Sequence, residues 1–153
     1  MPTTIDVLVD TNILLRTQFD KPVHTTNASQ ALTELRRQGR TLATCIQNLA
    51  ELWNVSTRPE TSNGFGLTQE ESLRRLRYFE SSLNILSESI ESFTIWKQLI
   101  VTHDVRGAKV HDTRLVSVML AFDIPSILTF NTEDFARFPD IKAIHPDTVL
   151  QRL

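Results

Sequence analysis

The stretch IDVLVDTN, residues 5–12, decides the fold. The segment from Ile5 to Val9 is short and mostly aliphatic, which is typical of a buried strand. Asp10, Thr11 and Asn12 follow at once, and such residues favour the start of a helix. The stretch therefore predicts a strand that ends at a carboxylate and leads directly into a helix.

Strands and helices alternate along the rest of the chain. The apolar spacing predicts further strands at 41–44, 84–87, 126–130 and 141–145, and helices at 27–38, 47–57, 69–83 and 90–103, with another helix opening at Asp112. Short connections between alternating elements imply right-handed crossovers and a sheet covered on both faces. We expect a single three-layer α/β/α domain over residues 1–153, with a central, mostly parallel sheet of four or five strands.

Length and composition fit that expectation. A chain of 153 residues with 41% hydrophobic content can bury one core. The apolar runs are far shorter than the roughly 20 residues of a bilayer span, and a signal-peptide layout is missing, so we expect a soluble, cytoplasmic protein without a membrane partner. The single cysteine, Cys45, is expected to be a buried small hydrophobe. The Phe and Trp residues fall on helical stripes and are expected in the core.

The charge balance limits how the protein could contact nucleic acid. Sixteen Lys and Arg against 18 Asp and Glu give a formal charge of -2, which is not the broad basic field of a protein that coats nucleic acid. Any such contact must be local. The guanidinium group of Arg suits phosphate oxygens better than the ammonium group of Lys does. One group of basic residues lies around Arg106, Lys109 and Arg114.

Several polar side chains are placed to meet at one edge of the predicted sheet. In an open parallel sheet the ligand crevice lies outside the carboxyl ends of the strands. Asp10 and Asn131 directly follow predicted strands, Glu51 lies within two turns of a helix entered from a strand, and Asp112 opens a helix. Three carboxylates and an amide could therefore converge there.

Such a cluster of acids would need a cation. Two carboxylates about 4 Å apart repel by about 4 kcal/mol at an effective dielectric constant of about 20. Hard oxygen ligands without matched His or Cys residues favour Mg²⁺ or Mn²⁺, ions that suit phosphodiester hydrolysis. Each acid could instead have a purely structural role. Asp10 could cap a helix, Asp112 could stabilise a helix N-terminus through the helix dipole, and Glu51 could be a solvated helix residue. Spacing alone does not decide between these readings.

Four short segments in order, at residues 7–12, 48–52, 111–116 and 128–135, read VLVDTN, NLAEL, HDTRLV and LTFNTEDF. They resemble the PIN-domain ribonuclease family, and in particular its VapC-type toxins of type II toxin–antitoxin systems. The resemblance extends from Val7 to about Asp140. It implies a PIN-like fold over the single domain and a metal-dependent endoribonuclease.

The resemblance also implies the site residues. The acidic metal site of the family falls on Asp10, Glu51 and Asp112, with Asn131 where a fourth acid is common and Asp134 as its possible substitute. This departure puts a second metal ion in doubt more than the first. The predicted roles are catalytic for Asp10, Glu51, Asp112 and Asn131; metal-binding for Asp10, Glu51, Asp112 and Asp134; and substrate-binding for Asn12, Arg106 and Arg114. Asn12, or else Thr11, is the helper position that orients the first ligand.

The partners implied by the resemblance are a structured RNA substrate, a second copy of the chain in a homodimer, and a cognate antitoxin protein. Two other hypotheses remain open. A PIN-like module could bind RNA or protein without turnover, because a fourth acid is missing. A phosphoacceptor domain would also place an acid after the first strand, but Asp6 and Lys142 match its remaining requirements poorly.

Overall fold

A computed structural model describes residues 4–18 and 22–151, and the side chains of all of these except residues 22–26. The predicted domain of residues 1–153 thus includes residues 1–3, 19–21 and 152–153, which lie outside the described part. The five strands are β1 (Val7–Val9), β2 (Leu42–Cys45), β3 (Asn84–Leu86), β4 (Ser126–Leu128) and β5 (Lys142–Ile144). They pair in the order β3-β2-β1-β4-β5, and every pair is parallel. The expected parallel sheet is confirmed, with β1 at its centre.

Helices cover the sheet and complete a three-layer α/β/α arrangement. They are α1 (Thr11–Gln18), α2 (Pro22–Arg37), α3 (Ile46–Thr57), α4 (Gln69–Ser82), α5 (Ile90–Thr102), α6 (Lys109–Ala121) and α7 (Pro146–Leu150), together with 3-10 turns at Glu60–Ser62 and Thr132–Phe135. Helix α7 is an element that the sequence analysis did not predict. It begins at Pro146, because proline suits the first turn of a helix, and the His145 Nδ1 atom accepts a hydrogen bond from the Asp147 amide.

The alternation of side chains along β1 produces two cores. Val7 and Val9 point to one face of the sheet and pack with buried residues of α1, α2, α3, α4 and α7. Leu8 points to the other face and packs with α6 and with the segment around Phe135. All three side chains are buried, as expected of a parallel strand covered on both faces. None of the described helices is long and apolar enough to cross a lipid bilayer.

Helix α5 departs from the expectation that the Phe and Trp stripes are core. Phe93 is 52% exposed, Ile90 83% and Val101 79%, and the only fully buried residue of the helix is Ser92. The reason is position, since α5 packs mainly against α6 and follows β3, which is an edge strand. Cys45, in contrast, is buried as expected, and burial raises the pKa of its thiol to about 12.

Candidate metal centre

The centre is built where the paired strands β1 and β4 end. Their register places Val9 opposite Leu128, so the residues that follow, Asp10 and Thr129, lie side by side. The Asp10 amide donates a hydrogen bond to the Leu128 carbonyl oxygen at 3.1 Å, and the Thr129 hydroxyl donates one to Asp10 Oδ2 at 2.8 Å. The sheet itself therefore fixes the position of the first carboxylate.

A cleft of about 350 Å³ opens beside Asp10, at the carboxyl edge of the sheet. Its walls come from α1, α3, α6 and the segment after β4. The structure thus brings together six of the predicted site residues: Asp10, Asn12, Glu51, Asp112, Asn131 and Asp134. Four of them are acids, and they come from stretches that are far apart in the sequence.

Asp10 is held by hydrogen bonds to both carboxylate oxygens. Besides Thr129, the Thr11 amide donates to Oδ1 at 2.8 Å, and the side-chain amide groups of Asn48 and Asn12 lie 3.4 and 3.5 Å from the nearest oxygen. Burial nevertheless raises the pKa of Asp10 to about 6, and the charges of Glu51 and Asp112 add to the rise. A cation bound here would relieve that cost.

Glu51 is connected to Asp10 through neutral side chains. The Thr11 hydroxyl donates a hydrogen bond to Glu51 Oε2 at 2.7 Å, and the Asn48 amide donates to the same hydroxyl at 3.0 Å. Asn48 is fully buried, and its own carbonyl oxygen accepts from the Cys45 amide at 3.0 Å. One buried amide therefore helps to orient both carboxylates.

The other two acids of the cleft share a lysine. Lys109 Nζ lies 2.6 Å from Asp134 Oδ1 and 3.9 Å from Asp112 Oδ2. Partial burial raises the pKa of Asp112, as do the charges of Asp134 and Glu51, while Lys109 opposes the rise. The hydrogen bond to Asp134 raises the pKa of Lys109 in turn. Lys109 therefore remains charged at neutral pH.

The two predicted arginines are not in the cleft. Arg106 is exposed and pairs with Asp104 at 3.0 Å, outside the residues that line it. Arg114 binds Glu88 through two hydrogen bonds of 2.7 and 3.2 Å and lines a neighbouring cavity of about 530 Å³, which shares Glu51 with the cleft. Arg114 is therefore beside the cleft, whereas Arg106 is not placed to serve it.

Asn12 does line the cleft, but its side chain also ties two chain segments together. Its amide group donates to the Thr129 hydroxyl oxygen at 3.2 Å, and its carbonyl oxygen accepts from the Phe130 amide at 3.2 Å. These contacts fit the expected orienting role of Asn12.

Asp6 and Lys142 were considered for a phosphoacceptor domain. Both line a different cavity, and Asp6 accepts a hydrogen bond from the Thr41 amide at 2.7 Å.

Three residues that contact acids of the cleft received no site role in the sequence analysis: Thr129, Asn48 and Lys109. Thr129 and Asn48 are fully buried polar residues in segments that carry the family resemblance. A polar residue that follows a buried strand, or lies in the first turn of an amphipathic helix, is a signal that could have found them. Lys109 offered no such signal, because its partner Asp134 is 25 residues away in the sequence.

The donor set of the cleft fits a hard divalent ion, since carboxylate and amide oxygens are the ligands that Mg²⁺ and Mn²⁺ prefer. Within residues 4–18 and 22–151, no three His, Cys, Asp or Glu side chains lie close enough together to hold a metal ion as they stand. Each carboxylate is instead satisfied by a hydroxyl, an amide or Lys109. Binding of one ion by Asp10, Glu51 and Asp112 would therefore require these side chains to move closer together.

Replacing Thr129 with Val should destabilise the protein, because the Thr129 hydroxyl links the ends of β1 and β4. Valine has nearly the same side-chain shape as threonine but lacks the hydroxyl. Asp10 Oδ2 therefore loses its shortest hydrogen bond, and the Asn12 side-chain amide and the Asn131 backbone amide lose their acceptor. We expect a loss of about 1–3 kcal/mol in the free energy of unfolding, measured by urea denaturation. Thr113→Val is the matched control, because that buried hydroxyl only contacts a carbonyl oxygen of its own helix. An equal loss in both variants would contradict the expectation.

The chain matches a known protein family in sequence. The sequence model of the PIN domain family matches residues 7–141 of the chain. No curated protein sequence is significantly similar to it.

Several solved structures share the fold. VapBC-1 of nontypeable Haemophilus influenzae is 17% identical, with a TM-score of 0.67 over 94% of this chain and 99% of that one. VapBC2 of Rickettsia felis, solved with a promoter DNA fragment, is 17% identical, with a TM-score of 0.66 over 92% of this chain and 98% of that one. VapC20 of Mycobacterium tuberculosis, a sarcin-ricin loop cleaving toxin, is 16% identical, with a TM-score of 0.65 over 90% of this chain and 99% of that one. These identities establish likeness of fold alone, whereas the family match spans most of the sequence, and the chain therefore belongs to the PIN domain family.

Proposed function

We propose that this protein is a Mg²⁺- or Mn²⁺-dependent endoribonuclease that hydrolyses RNA phosphodiester bonds and acts as the toxin of a toxin–antitoxin pair. One observation carries the proposal. Four carboxylates from separate segments, Asp10, Glu51, Asp112 and Asp134, line a single cleft at the carboxyl edge of the sheet of a PIN domain. A gathering of acids on this scale costs free energy unless a cation binds among them.

In this proposal Asp10, Glu51 and Asp112 hold the ion. Thr129 and Asn48 keep Asp10 in place, and the Thr11 hydroxyl holds Glu51 through a hydrogen bond. A bound divalent ion would supply an activated water molecule and stabilise negative charge on the phosphate during in-line attack. Asn131 is exposed at the mouth of the cleft and contributes an uncharged oxygen or N–H group to the substrate or to the ion's water.

The substrate and partners are proposed from the neighbours in fold. One of them is a toxin that cleaves the sarcin-ricin loop, and two were solved as VapBC assemblies. For this chain we propose a structured RNA substrate, a cognate antitoxin and a homodimer, acting in the cytoplasm where such RNA is present. Arg114 at the neighbouring cavity is the candidate for a phosphate contact, provided that its pairing with Glu88 opens.

Cleavage assays with the purified chain test the proposal. Labelled structured RNA should be cut in the presence of Mg²⁺ or Mn²⁺ and stay intact with excess EDTA, while single-stranded DNA of the same sequence should be cut much more slowly. RNA that is bound but remains uncut with either ion would instead support the module without turnover. Cleavage that persists unchanged in EDTA would overturn metal dependence.

A further inference from the structure

Lys109 divides the acids of the cleft into two groups. Its ammonium group contacts Asp134 at 2.6 Å and Asp112 at 3.9 Å. Among the described residues, the groups that donate hydrogen bonds to Asp10 and Glu51 are all uncharged. The side chain of Lys109 is 46% exposed, so its ammonium group is not confined to a closed pocket. Attraction to the carboxylates is the physical reason for its placement.

Asp134 is the one carboxylate among the described residues of the cleft that is left over once the other three hold a first ion. A second divalent ion would therefore need Asp134 as a ligand, and Lys109 already contacts it. Beside Asp134 the chain carries Asn131, which is neutral, so this end of the cleft offers less negative charge than the Asp10 end. An ammonium group already bound to Asp134 reduces that charge further and repels an approaching dication. Asp112 is the weaker partner of Lys109 and stays available to an ion shared with Asp10 and Glu51.

We propose that Lys109 is a built-in cation that takes the place of a second divalent ion, so that the centre binds one ion at Asp10, Glu51 and Asp112. This inference rests on the proposed function, because it presupposes that the cleft binds a divalent ion. It gives Lys109 a charge-balancing role that the uncharged Asn131 makes possible.

The test is a titration of Mn²⁺ into the intact chain, followed by calorimetry and by electron paramagnetic resonance of free Mn²⁺. The wild type should bind one ion per chain. Lys109→Met should gain a second ion, with a dissociation constant at least about tenfold below that of any second binding event in the wild type. Lys142→Met is the matched control, since that lysine is exposed on β5 in another cavity, and it should still bind one ion.

A double variant locates the second ion. Lys109→Met with Asp134→Asn should return to one ion, because the carboxylate that Lys109 neutralises is gone. Two ions in the wild type, a single ion in Lys109→Met, or two ions in the double variant would each overturn the inference and leave the metal-dependent function standing. A wild type that binds no ion would overturn the proposed function as well. Circular dichroism on each variant establishes that the fold is intact before titration.

Discussion

Asp112→Asn should reduce divalent-ion-dependent RNA cleavage by roughly 100-fold or more, since loss of a residue that merely supports a metal ligand already costs about 10–100-fold. Asp112 is half-buried in the first turn of α6, and among the described residues its carboxylate has only the long contact to Lys109. It faces the charges of Asp134 and Glu51, which raise its pKa together with burial. Its negative charge is thus unfavourable in the ion-free protein, as expected of a group placed for binding rather than for stability.

The same variant should therefore be at least as stable as the wild type without metal. Initial rates of cleavage and urea denaturation in EDTA measure the two effects. Asp123→Asn is the matched control at the other end of α6, because Asp123 has a positive φ of 55° that Asn also tolerates. Cleavage by Asp112→Asn at the wild-type rate would contradict the prediction, and so would an equal loss of activity in Asp123→Asn.

The affinity for Mn²⁺ should rise about tenfold between about pH 5 and about pH 7, because a proton on Asp10 competes with the ion. Burial raises the pKa of Asp10 to about 6, so the carboxyl is mostly protonated at the lower pH and mostly ionised at the higher one. The raised pKa of Asp112 acts in the same direction. Calorimetry at both pH values, in buffers of different ionisation enthalpy, should show about one proton released per ion at about pH 5.

The ion-free protein should respond to pH in the opposite direction. A carboxyl group whose pKa is raised by folding stabilises the native state fully below its unfolded pKa of 3.8 and loses that contribution as the pH rises to about 6. In Thr129→Val the transition should move to higher pH, since the Thr129 hydrogen bond lowers the pKa of Asp10. An ion affinity that stays constant between about pH 5 and about pH 7 would contradict competition between the ion and a proton on Asp10.

Strand ends, helical spacing and the family resemblance together predicted acids that line one cleft in the structure. Asp10 is recognisable because it ends a short aliphatic strand, and Asp112 because apolar residues follow it at helical spacing, of which Leu115, Val116 and Met119 are buried. In a parallel sheet both positions lie at the same edge, and the cleft joins them. Strong periodicity and strand direction are local properties, which explains why they are visible in the sequence.

The partners of the charged side chains could not be predicted in the same way. Arg106, Lys109 and Arg114 form one basic group in the sequence, yet the structure pairs each of them with a different acid: Asp104, Asp134 and Glu88. Two of these pairs join distant segments, so they depend on tertiary packing. The exposure of Phe93 also depends on packing, because a stripe of apolar residues does not reveal whether a neighbour covers it.

The register of β1 and β4 makes the spacing of Asp10 and Thr129 a property of the main chain. Adjacent strands lie about 4.8 Å apart whatever aliphatic residues fill the layers above and below. Evolution can therefore exchange one core residue for another, and shift the melting temperature by several degrees, without disturbing this pair. Descendants adapted to heat or to cold can share the same placement of these two side chains while their interiors diverge.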